Sequence, residues 1–280
     1  MESVLNTIQL FWAQLIVGSL IGVFLSLLGV ILILRNMTFF GITLSQVATA
    51  GVAISLFLGI KGELPSLLFS VLIFIPFFFL SRNGMQRSDT VLGILFVSFG
   101  ALSQILISFG GNVQNHLLSA YFGDILTSEV KFRSYSFVLL LICFCTFILF
   151  YKRILFLSFD KDEYRVRRLG DWIELVLLLI MTITVSISVN LLGSFYSAAL
   201  LIVPAFTGLY IFRSMLGCFA FVTIFSFLGT VGGFFLSLVE IQLEKELVYL
   251  PTSSTIVCLL TVSSIFLWLG KKFFSGNWFF

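Results

Sequence analysis

The sequence predicts an all-α polytopic membrane protein of about nine transmembrane helices, and three observations predict it. Of the 280 residues 59% are hydrophobic and only 10% charged, with 35 Phe; a water-soluble chain carries roughly a quarter charged residues to cover its surface. Mean hydropathy is +1.14, and apolar stretches of about 20 residues, the length that crosses a bilayer as a helix, recur along the chain. The basic residues gather in alternate short loops.

Spans fall at about 8–34, 37–60, 64–80, 91–109, 135–151, 172–192, 193–211, 216–239 and 254–270. The first opens on MESVLNTIQLFW, which carries Glu2 but no Lys or Arg. It lacks the basic region of a signal peptide and reads as the start of a spanning helix. The second runs unbroken through GITLSQVATAGVAIS, residues 41–55, although that stretch spends Thr43, Ser45, Gln46 and Thr49 on polar side chains. Only Asn190 and the Gly193-Ser194 pair separate the sixth span from the seventh. Eight spans plus a re-entrant piece fit nearly as well. Residues 110–134 form a mixed segment containing LLSAYFGDIL, and EIQLEKELVYLP is an acidic loop before the last span. No linker rich in Pro, Gly or Ser divides the chain, so residues 1–280 read as one transmembrane domain.

With the N-terminus outside, the inner loops hold Arg35, Arg82, Arg87, Lys152, Arg153, Lys161, Arg165, Arg167, Arg168, Arg213, Lys271 and Lys272. The outer side holds only Lys61, Lys131, Arg133 and Lys245. That asymmetry follows the positive-inside rule and puts the C-terminus in the cytoplasm. A net charge of +3, spread over short loops, argues against nucleic acid as a partner; membrane lipid is the surrounding medium. Cys143, Cys145, Cys218 and Cys258 all fall in apolar runs and read as packing residues, with Cys143 and Cys145 on opposite sides of one helix.

Polar stripes recur at helical spacing. Gln46 lies one turn from Thr49 and Ala50, with Ile42 and Ala53 continuing its face. Gly100, Gln104 and Ser108 form a second stripe, Thr182, Ser186 and Asn190 a third, and Thr223, Ser226, Thr230, Gly233 and Ser237 a fourth. Gly18 and Gly22, and Gly229 and Gly233, are GxxxG pairs that favour close helix packing. Packing explains such stripes in general. Gln46 and Gln104 tilt towards a cavity, because a buried primary amide needs several partners.

No Asp, Glu, Lys, Arg or His falls near the middle of any span. Proton-coupled carriers hold their coupling ion on such groups, and an intramembrane hydrolase needs a base or metal ligands. Energy for uphill transport would therefore enter from outside the membrane. The segment SFDKDEYRVRRLGDW, residues 158–172, is where it could do so. Asp160, Asp162 and Glu163 precede Arg165, Arg167 and Arg168, and Leu169-Gly170 closes the piece, an order that complements a helix dipole and supplies a C-terminal cap. No GxxxxGK[ST] occurs, so the chain has no P-loop for ATP.

Five pieces in order carry a resemblance: LLGVILILRNMTFFGITLSQVATAGVA, SDTVLGILF, YFGDIL, SFDKDEYRVRRLG and LLGSFYSAALLIVPAFTG. Together they resemble the integral-membrane permeases of the zinc/manganese-uptake family of bacterial ATP-binding cassette importers, from about Val17 to Gly270. The resemblance implies a permease in the bacterial cytoplasmic membrane that forms half of a dimer, not itself an enzyme. Its partners would be a cytoplasmic ATPase, a second permease chain (like or unlike) and an extracytoplasmic metal-binding protein. The ATPase would dock on a coupling segment at 158–171, with Asp160, Glu163, Arg165, Leu169 and Gly170 as its contacts. The binding protein would dock near 110–134 and 240–253. Ser45, Gln46, Thr49, Gln104 and Pro204 would line the pathway. No cofactor is expected on this chain; a divalent metal ion is the expected cargo. The alternatives are a permease for a metal chelate or vitamin, or a membrane scaffold without transport.

One stretch departs from the family. Its second span reads Gly-Asp-Ala-Leu-Ser-His-Ala-x-x-Pro-Gly, with the Asp and His as metal contacts in the pathway. Here those positions are Ile42 and Gln46, and the Pro position is Ala50, while Ser45 and Gly51 are kept. Neither an isobutyl group nor an amide replaces a carboxylate or imidazole on zinc or manganese. The single His116 lies in the segment 110–134. The departure leaves three explanations: a second, different permease that keeps the ligands, weak contacts with selection left to the binding protein, or a changed substrate.

Overall fold

The computed structural model describes residues 2–60, 64–81, 85–109, 134–159, 170–239, 241–243, 246–248 and 250–275. Among them are nine helices: α1 (Glu2–Leu34), α2 (Thr38–Phe57), α3 (Leu64–Ser81), α4 (Met85–Ser108), α5 (Ser134–Phe159), α6 (Gly170–Leu192), α7 (Ser194–Ile211), α8 (Met215–Ser237) and α9 (Thr252–Ser275). Each expected span meets one helix. Eight are long and apolar enough to cross a membrane, and α3 contributes the shorter apolar stretch Leu64–Pro76. The segment 110–133, and with it the question of a re-entrant piece there, lies outside the described residues.

The fold is not purely helical. Strands β1 (Ile241–Leu243) and β2 (Glu246–Val248) pair antiparallel, Ile241 opposite Val248 and Leu243 opposite Glu246. The sequence reading treated this stretch as an acidic loop. In Ile-Gln-Leu apolar and polar residues alternate with the period of two that a strand uses.

The doubtful boundary between the sixth and seventh spans is a real break. Gly193 adopts φ 94° and ψ 159°, a backbone region that is essentially glycine's alone. Its N–H still donates to the Val189 carbonyl at 3.1 Å, and its carbonyl accepts from the Ser197 N–H at 3.1 Å. The chain leaves one helix and enters the next through a single residue. The hydroxyls of Ser188 and Ser197 meet across the break at 2.6 Å.

The first turn is equally tight. Asn36 takes a left-handed φ of 55°, and the Met37 and Asn36 N–H groups donate back to the carbonyls of Leu32 and Ile33 at 2.9 and 3.0 Å. This is a Schellman motif, which satisfies carbonyls that the end of α1 would otherwise leave open.

Side-chain contacts give the relative directions of the helices. Phe39 meets Phe96 with ring centroids 5.9 Å apart and Phe57 meets Phe109 at 5.4 Å, so α2 and α4 run parallel. Asn190 donates to Ser66 at 2.6 Å and Ser70 to Ser186 at 3.4 Å, so α3 and α6 run antiparallel. The pair α8 and α9 is also antiparallel: a Cβ on Gly229 would meet Leu260, and one on Gly233 would meet Ile256. These directions agree with nine helices that alternate through one slab. The alternation gathers Arg35, Arg213, Lys271 and Lys272 at one end.

The most intimate contact in the core is between α1 and α7. A Cβ on Gly29 would lie 1.7 Å from the Leu201 carbonyl oxygen, and one on Gly22 would lie 3.0 Å from Leu200. Small residues let the two backbones approach. Pro204 sits within α7 and is buried. Lacking an N–H, it leaves the carbonyl four residues earlier, Leu200, without its helical donor. The Ser26 hydroxyl of α1 shares its one proton between that oxygen at 2.8 Å and the Gly22 carbonyl of its own helix at 2.7 Å, and lies 3.0 Å from the Ser226 hydroxyl. Ser26→Ala is expected to lower stability by about 1–3 kcal/mol, the cost of a buried carbonyl left unpaired, read as a lower melting temperature of the purified protein in detergent.

Most polar stripes do prove to be packing. Ser226 meets Ser26, the Thr230 and Tyr196 hydroxyls lie 3.4 Å apart, and Ser237 donates to Thr252 at 3.3 Å. Thr182, Ser186 and Asn190 face the neighbouring helices or their own backbone. Cys143 and Cys218 are buried, Cys145 and Cys258 exposed, and all four are free thiols.

Candidate functional site

One polar stripe remains, on the paired helices α2 and α4. Most of α2 is buried within the subunit, but Phe39 is exposed and Ile42 and Gln46 half-buried along one edge. Ile42 and Gln46 are one turn apart, so their side chains share a face. The amide oxygen of Gln46 looks onto α4, where a Cβ on Gly100 would lie 3.7 Å from it. A methyl group there would make an ordinary contact with the amide. Gln104, one turn further along α4 on the same face, is exposed, as is Ala101. The structure thus brings Gln46 and the Gly100–Gln104 stripe to one lip of the subunit.

Ser45 and Thr49 sit behind that lip. Both are buried, with their hydroxyls donating to the helix's own carbonyls, Ser45 to Ile42 and Thr49 to Ser45, each at 2.8 Å. Bonds of this kind satisfy a hydroxyl in a dry environment and relax the helix locally. Thr43 bridges the helix pair, reaching the Phe39 carbonyl at 2.9 Å and the Leu92 carbonyl at 3.4 Å. Pro204 lies apart, in the α1–α7 contact. Its helix touches α2 at Leu201, which abuts the position of a Gly41 Cβ.

The lip offers the amide groups of Gln46 and Gln104, and no ionisable side chain is among its residues. Among the described residues no three His, Cys, Asp or Glu converge as a metal site would need. The chemistry available there is hydrogen bonding and weak coordination by neutral amide oxygens.

The assigned coupling residues Asp160, Glu163, Arg165 and Leu169 lie outside the described residues; Gly170 is the first residue of α6. Close beside it is a feature that sequence reasoning missed. Arg35, read there only as a loop charge, is buried and forms an ion pair with Glu174 in the first turns of α6. The signal was available: Glu174 falls inside the sixth apolar run, and an acid there calls for a partner. On the same end, Lys271 donates to the Tyr210 and Ile211 carbonyls at 2.5 and 3.1 Å, closing the C-terminus of α7 with a positive charge.

A model of one protein family, the ABC 3 transport family, matches residues 7–269. The chain belongs to the ABC 3 transport family. This agrees with the resemblance drawn from its motifs. Among relatives of this ABC 3 chain, the high-affinity zinc uptake system membrane protein ZnuB of Haemophilus influenzae is 26% identical over 230 residues. That match covers 82% of the chain and 88% of ZnuB. The manganese import system permease protein ScaB of Streptococcus parasanguinis is 32% identical over 211 residues, 72% of each chain. The solved structure of PsaBC from Streptococcus pneumoniae in complex with Fab superposes with a TM-score of 0.78 at 23% identity, covering 96% of this chain and 95% of that one. It supports the fold of the ABC 3 chain.

Proposed function

We propose that the chain is the permease subunit of an ATP-driven importer of divalent metal ions (zinc, manganese or iron) and forms half of the translocation pathway. The observation that carries this reading is the family match over residues 7–269, nearly the whole chain. The names of its relatives, zinc uptake for one and manganese import for another, supply the cargo class. The count of basic residues supports an orientation with the N-terminus outside and the C-terminus in the cytoplasm of a bacterial cell.

In this reading the ion is released to the lip formed by Gln46 and Gln104 and crosses between two permease chains. Since the sequence contains no P-loop, a separate ATPase supplies the energy by docking on 158–171. An extracytoplasmic metal-binding protein delivers the ion to the opposite end.

The neutral lip bears on the second permease chain. Ile42 and Gln46 occupy the places where the family carries an Asp and a His. A pathway that strips a divalent ion of water needs stronger donors than amides. The second chain is therefore proposed to be a different permease that keeps the charged ligands. Co-purification of this chain with its partners tests that reading, and recovery of like-chain dimers alone counts against it.

The docking reading makes its own prediction. With the ATPase co-purified, Glu163→Arg combined with Leu169→Asp is expected to remove stimulation of ATP hydrolysis by the permease. The substitutions reverse a charge and place another on an apolar contact, each worth a few kcal/mol at an interface. ATP hydrolysis at the unaltered rate would remove the case for docking at 158–171.

A further inference from the structure

Arg35 closes the turn between α1 and α2. Its side chain is 2% exposed, and Nη2 donates to Oε1 of Glu174, whose side chain is 27% exposed. The other guanidinium atoms, Nε and Nη1, are buried and have no acceptor among the described residues. This is a costly way to hold two helices together. Desolvating a guanidinium costs several kcal/mol, a single carboxylate repays only part of it, and apolar residues in place of such a pair are often neutral or stabilising. Stability alone does not account for Arg35.

Its position does. Arg35 stands three residues ahead of Thr38, where α2 begins, and α2 carries Ile42 and Gln46. Glu174 stands four residues beyond Gly170, where α6 begins. The pair therefore ties the head of the pathway helix to the first turns of the helix that leads out of the segment 158–171. Arg35 is fixed in place by the Schellman turn, so a shift of Glu174 pulls on a rigid corner and not on a loose loop.

We propose that the Arg35–Glu174 pair is a positioning latch that transmits movement of the start of α6 to α2, and so links the ATPase cycle to the pathway. The inference rests on the proposed docking of the ATPase at 158–171.

The test uses the complex of this chain with its partner permease and ATPase, reconstituted in liposomes. ATP hydrolysis, metal uptake, assembly and melting temperature are all measured. Arg35→Met with Glu174→Leu removes both charges while keeping volume. It is expected to assemble, melt near the unaltered complex and hydrolyse ATP, while uptake per ATP falls at least about tenfold. Arg35→Lys keeps the charge but loses the planar fork, and is expected to lower uptake per ATP several-fold at unchanged melting temperature. Unaltered uptake per ATP in the Met/Leu complex overturns the latch. Should that complex fail to assemble, Arg35→Lys decides: reduced coupling supports the latch and full coupling overturns it. Failure of the docking reading is seen separately, as a complex with Glu163→Arg and Leu169→Asp that keeps its ATPase bound and stimulated.

Discussion

Replacing Gln46 by lysine is expected to stop metal uptake while leaving the subunit folded. The Gln46 amide is half-buried at the lip and looks onto Gly100, beside the stripe that continues through the exposed Gln104. An ammonium group there meets a divalent cation in a partly desolvated passage. At an effective dielectric of about 20, repulsion between a single and a double charge some 4 Å apart is of the order of 8 kcal/mol, against about 1.4 kcal/mol per tenfold in rate. Relaxation and water will reduce that figure, yet a fall of at least about a hundredfold in initial uptake rate is expected. Gln46→Met keeps the length and apolar stem without the charge and serves as the control for folding. Uptake of radioactive or isotopically labelled metal into cells expressing each variant is the measurement. Normal uptake by the lysine variant would take Gln46 off the ion's path.

Gly29→Ala is the second large effect expected, and it acts on the fold. The added methyl would lie 1.7 Å from the Leu201 carbonyl oxygen and 2.8 Å from its carbon. The obstacle is backbone within a helix, so no side-chain rotation relieves it and α1 must separate from α7. Overpacking a core costs roughly 1–3 kcal/mol when side chains can yield, and more is expected here. Gly270→Ala is the internal control, since nothing lies within 4 Å of that Cβ and alanine is the better helix former by about 1 kcal/mol. Melting followed by size-exclusion chromatography in detergent should show Gly29→Ala aggregating well below the unaltered protein, with Gly270→Ala at or above it. Equal melting of the two variants would refute the close α1–α7 contact.

The nine helices of the described residues fall on the nine spans read from the sequence, because bilayer thickness, not tertiary context, dictates the length of an apolar run. Their alternation could be read from the basic loops, and contacts as separate as Phe39 with Phe96 and Asn190 with Ser66 agree with it. What could not be read was pairing at a distance. Ser26 satisfies a carbonyl 174 positions away that Pro204 has freed, and Arg35 meets an acid 139 positions away. Periodicity places each residue on a face but does not say which helix that face will meet. The same limit applied to the polar stripes. Ser226 and Gln46 look alike as polar residues in apolar runs, yet one is locked into the α1–α8 contact and the other stands at a lip. The break at Gly193 was left open because a single glycine with positive φ needs no polar loop to announce it. The coupling residues Asp160, Glu163, Arg165 and Leu169 rest on the order of charges in their segment and on the family motif, since they lie outside the described residues.

The most direct test of the central claim is the zinc, manganese and iron content of metal-limited cells, measured by mass spectrometry with and without this chain. A selective fall in one metal on deletion, restored when the chain is supplied again, is the predicted result and names the cargo. Unchanged content of all three metals, with the chain shown to be present in the membrane, would contradict a metal-importing permease.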